Sequence, residues 1–264
     1  MDYVKYSIII PAYNESERIT TTLDKVLAHI AEQHWQSEII VVNDGSHDDT
    51  AQIVRQYALR HPNVRLLENP GNRGKGYSVR NGMLSAKGDV LLFSDADLSS
   101  PIYEAGKLFA ALDKGADVAI GSRWLDRDLQ TEKQPLYRQL FGRIFNLLLK
   151  MVLNLRQKDT QCGFKAFNRR AADSIFPRQR IERWGFDPEI LFLAEHSRLR
   201  IAEVPVEWAH DDRSKINPVK DGIKMFLEML KIRYNSIIGR YKSGFTAAGL
   251  SHPAKEKGTT LVGP

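Results

Sequence analysis

Apolar residues in the first 125 positions follow two rhythms. Short, mostly apolar runs fall at residues 6–10, 38–42, 64–67, 89–93 and 117–120. Runs of this length fit strands covered on both faces, as in a parallel sheet. Between them the spacing changes. Ile19, Leu23, Val26, Leu27 and Ile30 share one face of a 3.6-residue helix, and Ser16 stands where a cap belongs. A second helix is predicted from about residue 48, with Ser46 as its cap and Asp48 and Asp49 near its positive end. A Gly-rich turn at residues 71–76 leads into a third helix ending near residue 86. Ser100 and Pro101 read as the N-cap and first residue of a fourth. The alternation predicts βαβ units, hence a Rossmann-like, doubly wound, mostly parallel α/β sheet with helices on both faces. Ligands of such sheets sit beyond the carboxyl ends of the strands.

The pattern loosens after residue 125. Residues 135–155 read as a long helix rich in Leu and Phe, residues 185–196 as another, and residues 199–208 as a strand. Residues 218–241 form an amphipathic helix carrying Ile223, Phe226, Leu227, Leu230, Tyr234, Ile237 and Ile238. From residue 243 Gly, Ser, Lys, Thr and Pro dominate, and a disordered tail is expected. Hydrophobic residues make up 42% and charged residues 27% of the 264, which are globular values. No run approaches the roughly 18 apolar residues of a spanning helix. The chain starts almost at once with a strand, so no signal peptide is expected and a cytoplasmic protein is. Cys162 is the single cysteine, which rules out an intrachain disulfide.

Charge changes this picture in one place. The net charge is +6, yet residues 137–180 hold ten Lys and Arg against Asp159 and Asp173 alone. One face therefore meets something anionic: nucleic acid, lipid headgroups or a phosphorylated substrate. No nucleic-acid reader motif or stacking array of aromatics is present, so no nucleic acid is expected. The basic, apolar stretch 137–158 has two readings. It is either a core helix with solvated charges or an interfacial helix. The second reading dips Leu149, Met151 and Leu153 toward a bilayer while Arg138, Arg143, Lys150 and Arg156 meet headgroups.

Three strand ends carry unusual polar residues: Pro11-Ala12-Tyr13-Asn14-Glu15, Asn43-Asp44-Gly45-Ser46 and Ser94-Asp95-Ala96-Asp97. Asp95 and Asp97 are two apart at a strand terminus, so both side chains leave on one side. Like charges that close repel unless a cation lies between them. Hard oxygens at this spacing suit Mg2+ or Mn2+, with substrate phosphates completing the shell. A solvated turn is the alternative for each motif alone. Their order on successive strand ends is what gives them weight.

Taken together the motifs resemble those of family 2 glycosyltransferases with the GT-A fold. Ile8-Ile9-Ile10-Pro11-Ala12-Tyr13-Asn14-Glu15, Val42-Asn43-Asp44-Gly45-Ser46, Asn72-Arg73-Gly74-Lys75-Gly76 and Asp95-Ala96-Asp97 carry the likeness. Asp97-Leu98-Ser99, Gly121-Ser122-Arg123, the run from Asp159 to Lys165, Gly185-Phe186-Asp187 and Arg213-Ser214-Lys215-Ile216 resemble the branch of polyprenyl-phosphate sugar synthases, dolichyl-phosphate β-glucosyltransferases above all. The resemblance implies a catalytic domain over 1–217, with a nucleotide-sugar half to about 125 and an acceptor half from about 126. The amphipathic helix and tail follow it. The resemblance implies that Pro11, Tyr13 and Glu15 hold the nucleoside and Asp44 its base. It implies that Asp95 and Asp97 hold Mg2+ or Mn2+, and that Arg123, Arg213 and Lys215 face phosphates. Lys75 and Arg73 resemble a phosphate cradle in the donor pocket, with a surface turn as the alternative.

The implied activity is metal-dependent, inverting transfer of a hexose to a polyprenyl phosphate at a membrane surface, with UDP-glucose as the favoured donor. GDP-mannose as donor, or a glycan hydroxyl as acceptor, are the alternatives. Asp187 is the candidate base for a hydroxyl acceptor, or else a helix N-cap. Asp159 and Gln161 are candidates near the acceptor, Asp159 otherwise a turn residue. His210, beside Asp211 and Asp212, reads as a surface histidine. Ser99 stands where mannosyl relatives often have Gln, which leaves a third direct metal ligand unsupplied.

Overall fold

A computed structural model describes residues 3–126, 128–129, 147–209 and 218–242. Seven strands form one sheet: β1 (Tyr6–Ala12), β2 (Ser37–Asn43), β3 (Val64–Glu68), β4 (Val90–Ser94), β5 (Val118–Ser122), β6 (Phe164–Asn168) and β7 (Ile201–Pro205). Their order is β3-β2-β1-β4-β6-β5-β7. Only β6 runs antiparallel, pairing with β4 on one side and β5 on the other. Strands from both expected halves of the chain thus share a single sheet.

The helices are α1 (Ile19–Glu32), α2 (Thr50–Arg60), α3 (Lys75–Ser85), α4 (Ala105–Asp113), α5 (Arg169–Ile175), α6 (Phe186–His196) and α7 (Pro218–Ile237), with a further helical stretch over residues 147–153. Alternate residues of each central strand enter opposite cores, as the pleat requires. Ile9, Ile40, Val42, Leu91 and Phe93 pack with α3, α5, α6 and the inner side of α7. Ile8, Ile10, Ile39, Val41 and Leu92 pack with α1, α2 and α4.

The five expected strands of the first half form close to where the pattern put them, whereas the caps do not. α1 starts at Ile19 and α2 at Thr50, neither with a side-chain cap. Ser46 accepts instead from the Asn14 N–H, and Ser16 gives its own N–H to Asp48. Pro101 precedes a short 3-10 turn, Ile102–Glu104, rather than opening an α-helix. The strand expected over 199–208 shortens to Ile201–Pro205, and β6 was not expected at all. Of the bilayer-facing trio, Leu149 and Leu153 are buried in the core and only Met151 faces out, with Leu147 beside it. The remainder of that helix, residues 135–146, lies outside the described residues, as do Ile223's side chain and the tail from 243.

Candidate active site

The strand order reverses around β1 and β4, and the three polar strand ends meet there at the carboxyl edge of the sheet. The loops after β1 and β2 are sewn together by side chains. Asn14 N–H donates to Ser46, the Glu15 N–H to Thr50 and the Ser16 N–H to Asp48, while the His47 N–H donates to Asn14. Burial works against the Asp48 charge, but the bonds from Thr50 and Ser16 overcome it and hold its pKa at about 2. Pro11 is buried at the end of β1. Tyr13 is partly exposed, edge-on to His47, and Glu15 pairs with Arg18. Asn14 takes a left-handed φ of 53° to make this corner.

Asp44 is buried and anchors the Gly-rich turn. One oxygen accepts from Asn69 Nδ2 at 2.8 Å and the Arg73 N–H at 2.9 Å, the other from the Gly74 N–H at 2.8 Å. Gly45, at φ +70°, lies so close to Gly71 that a Cβ would stand 2.7 Å from its carbonyl carbon, so this approach needs glycine. The turn in turn lies against residues 181–186. Arg73 forks onto Glu182, and a Cβ on Gly76 would meet the Ile181 carbonyl at 2.6 Å.

That packing delivers Lys75 to the end of β4, where its Nζ lies 2.5 Å from Asp95 Oδ1. Trp184 and Phe186 present ring faces to the same ammonium. Burial opposes the Lys75 charge, yet Asp95 and Asp187 outweigh it and raise the pKa. Asp97 accepts from the Ser99 N–H and lines a cleft of about 190 Å3 with Arg18, Thr22, Lys25 and Leu98. Crowding by the surrounding chain and the charge of Asp95 push the Asp97 pKa up, although its outer edge stays exposed. The two carboxylates feel each other, as a shared cation site requires. Among the described residues no three His, Cys, Asp or Glu side chains are arranged to hold a metal ion by themselves. A two-carboxylate donor set fits Mg2+ or Mn2+, which keep water and phosphate oxygens in their shells.

Arg123 and Asp159, given separate roles above, form one buried pair. Arg123 Nε and Nη2 reach Asp159 Oδ2 and Oδ1 at 2.7 and 2.9 Å, and the Arg123 N–H adds a third bond at 3.0 Å. The Trp208 ring lies 5.4 Å from the guanidinium. Burial disfavours both charges, but the pairing raises the arginine's pKa and lowers the aspartate's. Asp187 sits in the first turn of α6, not at its cap, and takes a proton donor from the fully buried Lys165. Its charge is felt at both Lys75 and Arg123. Gln161 reaches toward Met225 of α7. Arg213, Lys215 and His210 lie outside the described residues. Lys165 and Trp208 had no assigned role. A lysine inside an otherwise apolar run, Phe164 to Phe167, was the available signal for the first.

Residues 7–176 match the profile of Glycosyl transferase family 2. Over 238 residues the chain is 41% identical to a dolichyl-phosphate beta-glucosyltransferase of Trichomonas vaginalis, covering 86% of this chain and 70% of the relative. It is 37% identical to the Drosophila melanogaster enzyme of that name, with 90% and 77% covered, and 31% identical to the Homo sapiens one, with 89% and 77% covered. Glucosyl-3-phosphoglycerate synthase from Mycobacterium tuberculosis in complex with UDP superposes with a TM-score of 0.65 at 19% identity, over 87% of this chain and 80% of that one. Its complex with Mn2+, UDP-glucose and phosphoglyceric acid gives 0.62 at 18%, over the same shares. These structures share the fold.

Proposed function

The chain belongs to glycosyl transferase family 2, and from that premise we propose that it moves glucose from UDP-glucose to dolichyl phosphate or a related polyprenyl phosphate, inverting the anomeric centre. The observation that carries the reading is the meeting of Asp95, Asp97 and Lys75 with the Arg123–Asp159 pair at one rim of the sheet. The curated relatives are named for dolichyl phosphate, and structural neighbours are described with UDP-glucose and Mn2+.

Departure of a nucleoside diphosphate builds charge on its terminal phosphate. Asp95 and Asp97 are the residues to hold a Mg2+ or Mn2+, which would supply Lewis-acid neutralisation of that charge when bound. Lys75 adds a fixed positive charge on the same side. Arg123, its Nε–Nη2 edge held by Asp159 and its plane set beside Trp208, would present its positive charge to the acceptor phosphate. Asp187 is engaged by Lys165, which suits an acceptor that needs no base. A phosphate monoester loses its second proton near pH 6, so the nucleophile arrives already ionised and the enzyme's task is positioning. Attack opposite the leaving group turns an α-linked donor into a β-linked product.

The lipid acceptor implies a surface. Phe226, Leu227, Leu230, Tyr234, Ile237 and Ile238 project from α7, and Lys231, Arg233 and Arg240 flank them. Leu147 and Met151 project from the neighbouring helical stretch. Basic residues beside exposed apolar stripes favour resting on an anionic bilayer. No helix among the described residues is long and apolar enough to cross one.

The deciding experiment offers radiolabelled UDP-glucose and GDP-mannose, with Mn2+ or with EDTA, to detergent-dispersed dolichyl phosphate and to free sugars. Metal-dependent transfer from UDP-glucose to the lipid alone is expected. Transfer in EDTA would remove the metal role, and acceptance of a plain glycan would replace the acceptor class.

A further inference from the structure

Lys165 has no part in the chemistry just described, yet its side chain is wholly excluded from solvent. Its Nζ donates to the Cys162 carbonyl at 2.6 Å and to the Asp187 carboxylate, and the Phe93 ring lies 5.4 Å away. Burying an ammonium is costly until its partners offset the loss, and an apolar pair of the same shape often serves stability as well. The Phe93 ring beside it packs on Phe186 in the same apolar core, which needs no charge to hold together.

What the ammonium touches suggests its use. The Cys162 carbonyl belongs to a loop over residues 159–163. Asp159, at one end of that loop, fixes Arg123. Gly163, at the other end, backs onto Asp95 so closely that a Cβ would fall 2.1 Å from Asp95 Oδ2. Asp187, the second partner, opens α6 and acts electrostatically on Lys75 and Arg123. One buried cation therefore ties down the loop that seats the donor-side carboxylate and the acceptor-side arginine, and ties it to α6.

We propose that Lys165 is a positioning residue that sets the Asp95 carboxylate and the Arg123 guanidinium relative to each other by clamping the 159–163 loop to Asp187. The proposal rests on the donor and acceptor sides assigned above. It acts through other groups and touches neither substrate.

The test compares Asp187→Asn with the double variant Lys165→Met/Asp187→Asn. The double variant removes both buried charges together and so leaves neither unpaired. Asp187→Asn leaves the Lys165 ammonium buried without a carboxylate, so it is expected to melt below the double variant. The double variant is expected to show a kcat at least tenfold below Asp187→Asn, with KM for UDP-glucose within about threefold, because displacement of preorganised groups by about 1 Å is felt in the transition state. Equal kcat in the two variants would overturn the proposal. So would a loss of kcat that merely follows a collapse in melting temperature. If the wild-type enzyme transfers nothing to dolichyl phosphate, the donor-and-acceptor reading is what fails. Crystals of the double variant then decide separately: a 159–163 loop displaced from Asp95 supports the role of Lys165, and an unmoved loop refutes it.

Discussion

Gly163→Ala probes the seat of Asp95 with a single methyl group. Gly163 does not adopt a positive φ, so alanine costs no backbone strain there. The added Cβ would stand 2.1 Å from Asp95 Oδ2 and 2.6 Å from its Cγ, against 3.4 Å for the shortest ordinary contact. The carboxylate must retreat by about 1.3 Å, or the loop must, and a misplacement of about 1 Å at a reacting centre costs on the order of 100-fold in rate. The expected result is a loss of about 100-fold in kcat for transfer of labelled glucose to dolichyl phosphate. Mn2+ binding, read from the electron paramagnetic resonance signal of the free ion, should weaken alongside it. The melting temperature should change little, since the clash lies at the site rim and Asp95 is partly exposed. Wild-type kcat together with wild-type Mn2+ affinity would refute the claim that Gly163 supports the carboxylate.

Two further outcomes follow from the charges. Burial lifts the Glu189 pKa from 4.5 to about 7, so the folded protein keeps a proton that the unfolded chain releases. Stability from this group is full below about pH 4.5, declines by about 3 kcal/mol up to pH 7, and is flat beyond. Glu189→Gln, whose amide can still meet Tyr241 and the Arg180 and Ile181 N–H groups, should gain melting temperature at pH 8 but not at pH 4.5. An equal gain at both pH values would contradict the assignment. Asp97→Asn should abolish the gain in UDP affinity that Mn2+ brings, while binding UDP in EDTA at least as tightly as wild type. Calorimetry showing an undiminished Mn2+ effect would remove Asp97 from the metal site.

The rim where β1, β2 and β4 end was legible in the sequence because its parts are local. Each strand run ends in its own motif, and β1, β2 and β4 are neighbours in the sheet, so three short segments define one rim. β6 stayed hidden because Phe164–Asn168 lies beyond the regular strand–helix alternation of the first half and inserts between β4 and β5 out of chain order. Ser16 and Ser46 have the chemistry of caps but serve loop-to-loop bonds, a choice that only the neighbouring loop decides. The acceptor side was read as single residues. Arg123 and Asp159 are 36 positions apart and Lys165 and Asp187 22 apart, and nothing in their local spacing says that each pair closes. Met151 and Leu149 differ in fate by helix phase alone: two positions rotate a side chain by about 200°, from core to solvent.

Charge balance connects these pairs to the chemistry. Three of the described cations near the site already have a carboxylate: Lys75 has Asp95, Arg123 has Asp159 and Lys165 has Asp187. Asp97 has no ion pair among the described residues, and burial, followed by the charge of Asp95, raises its pKa. A nucleoside diphosphate entering alone would meet these three cations already paired and Asp97 negative. Asp95 and Asp97 are the residues that would hold a divalent cation entering with it, and that cation would offset their charge beside Lys75. Pairing the cations in advance also spares the enzyme from holding buried, unmatched charges while it waits for substrate, a state that would cost several kcal/mol for each. On this reasoning a site that holds its cations paired at rest is also one that a divalent cation would complete, and Asp97 is the residue whose substitution tests it.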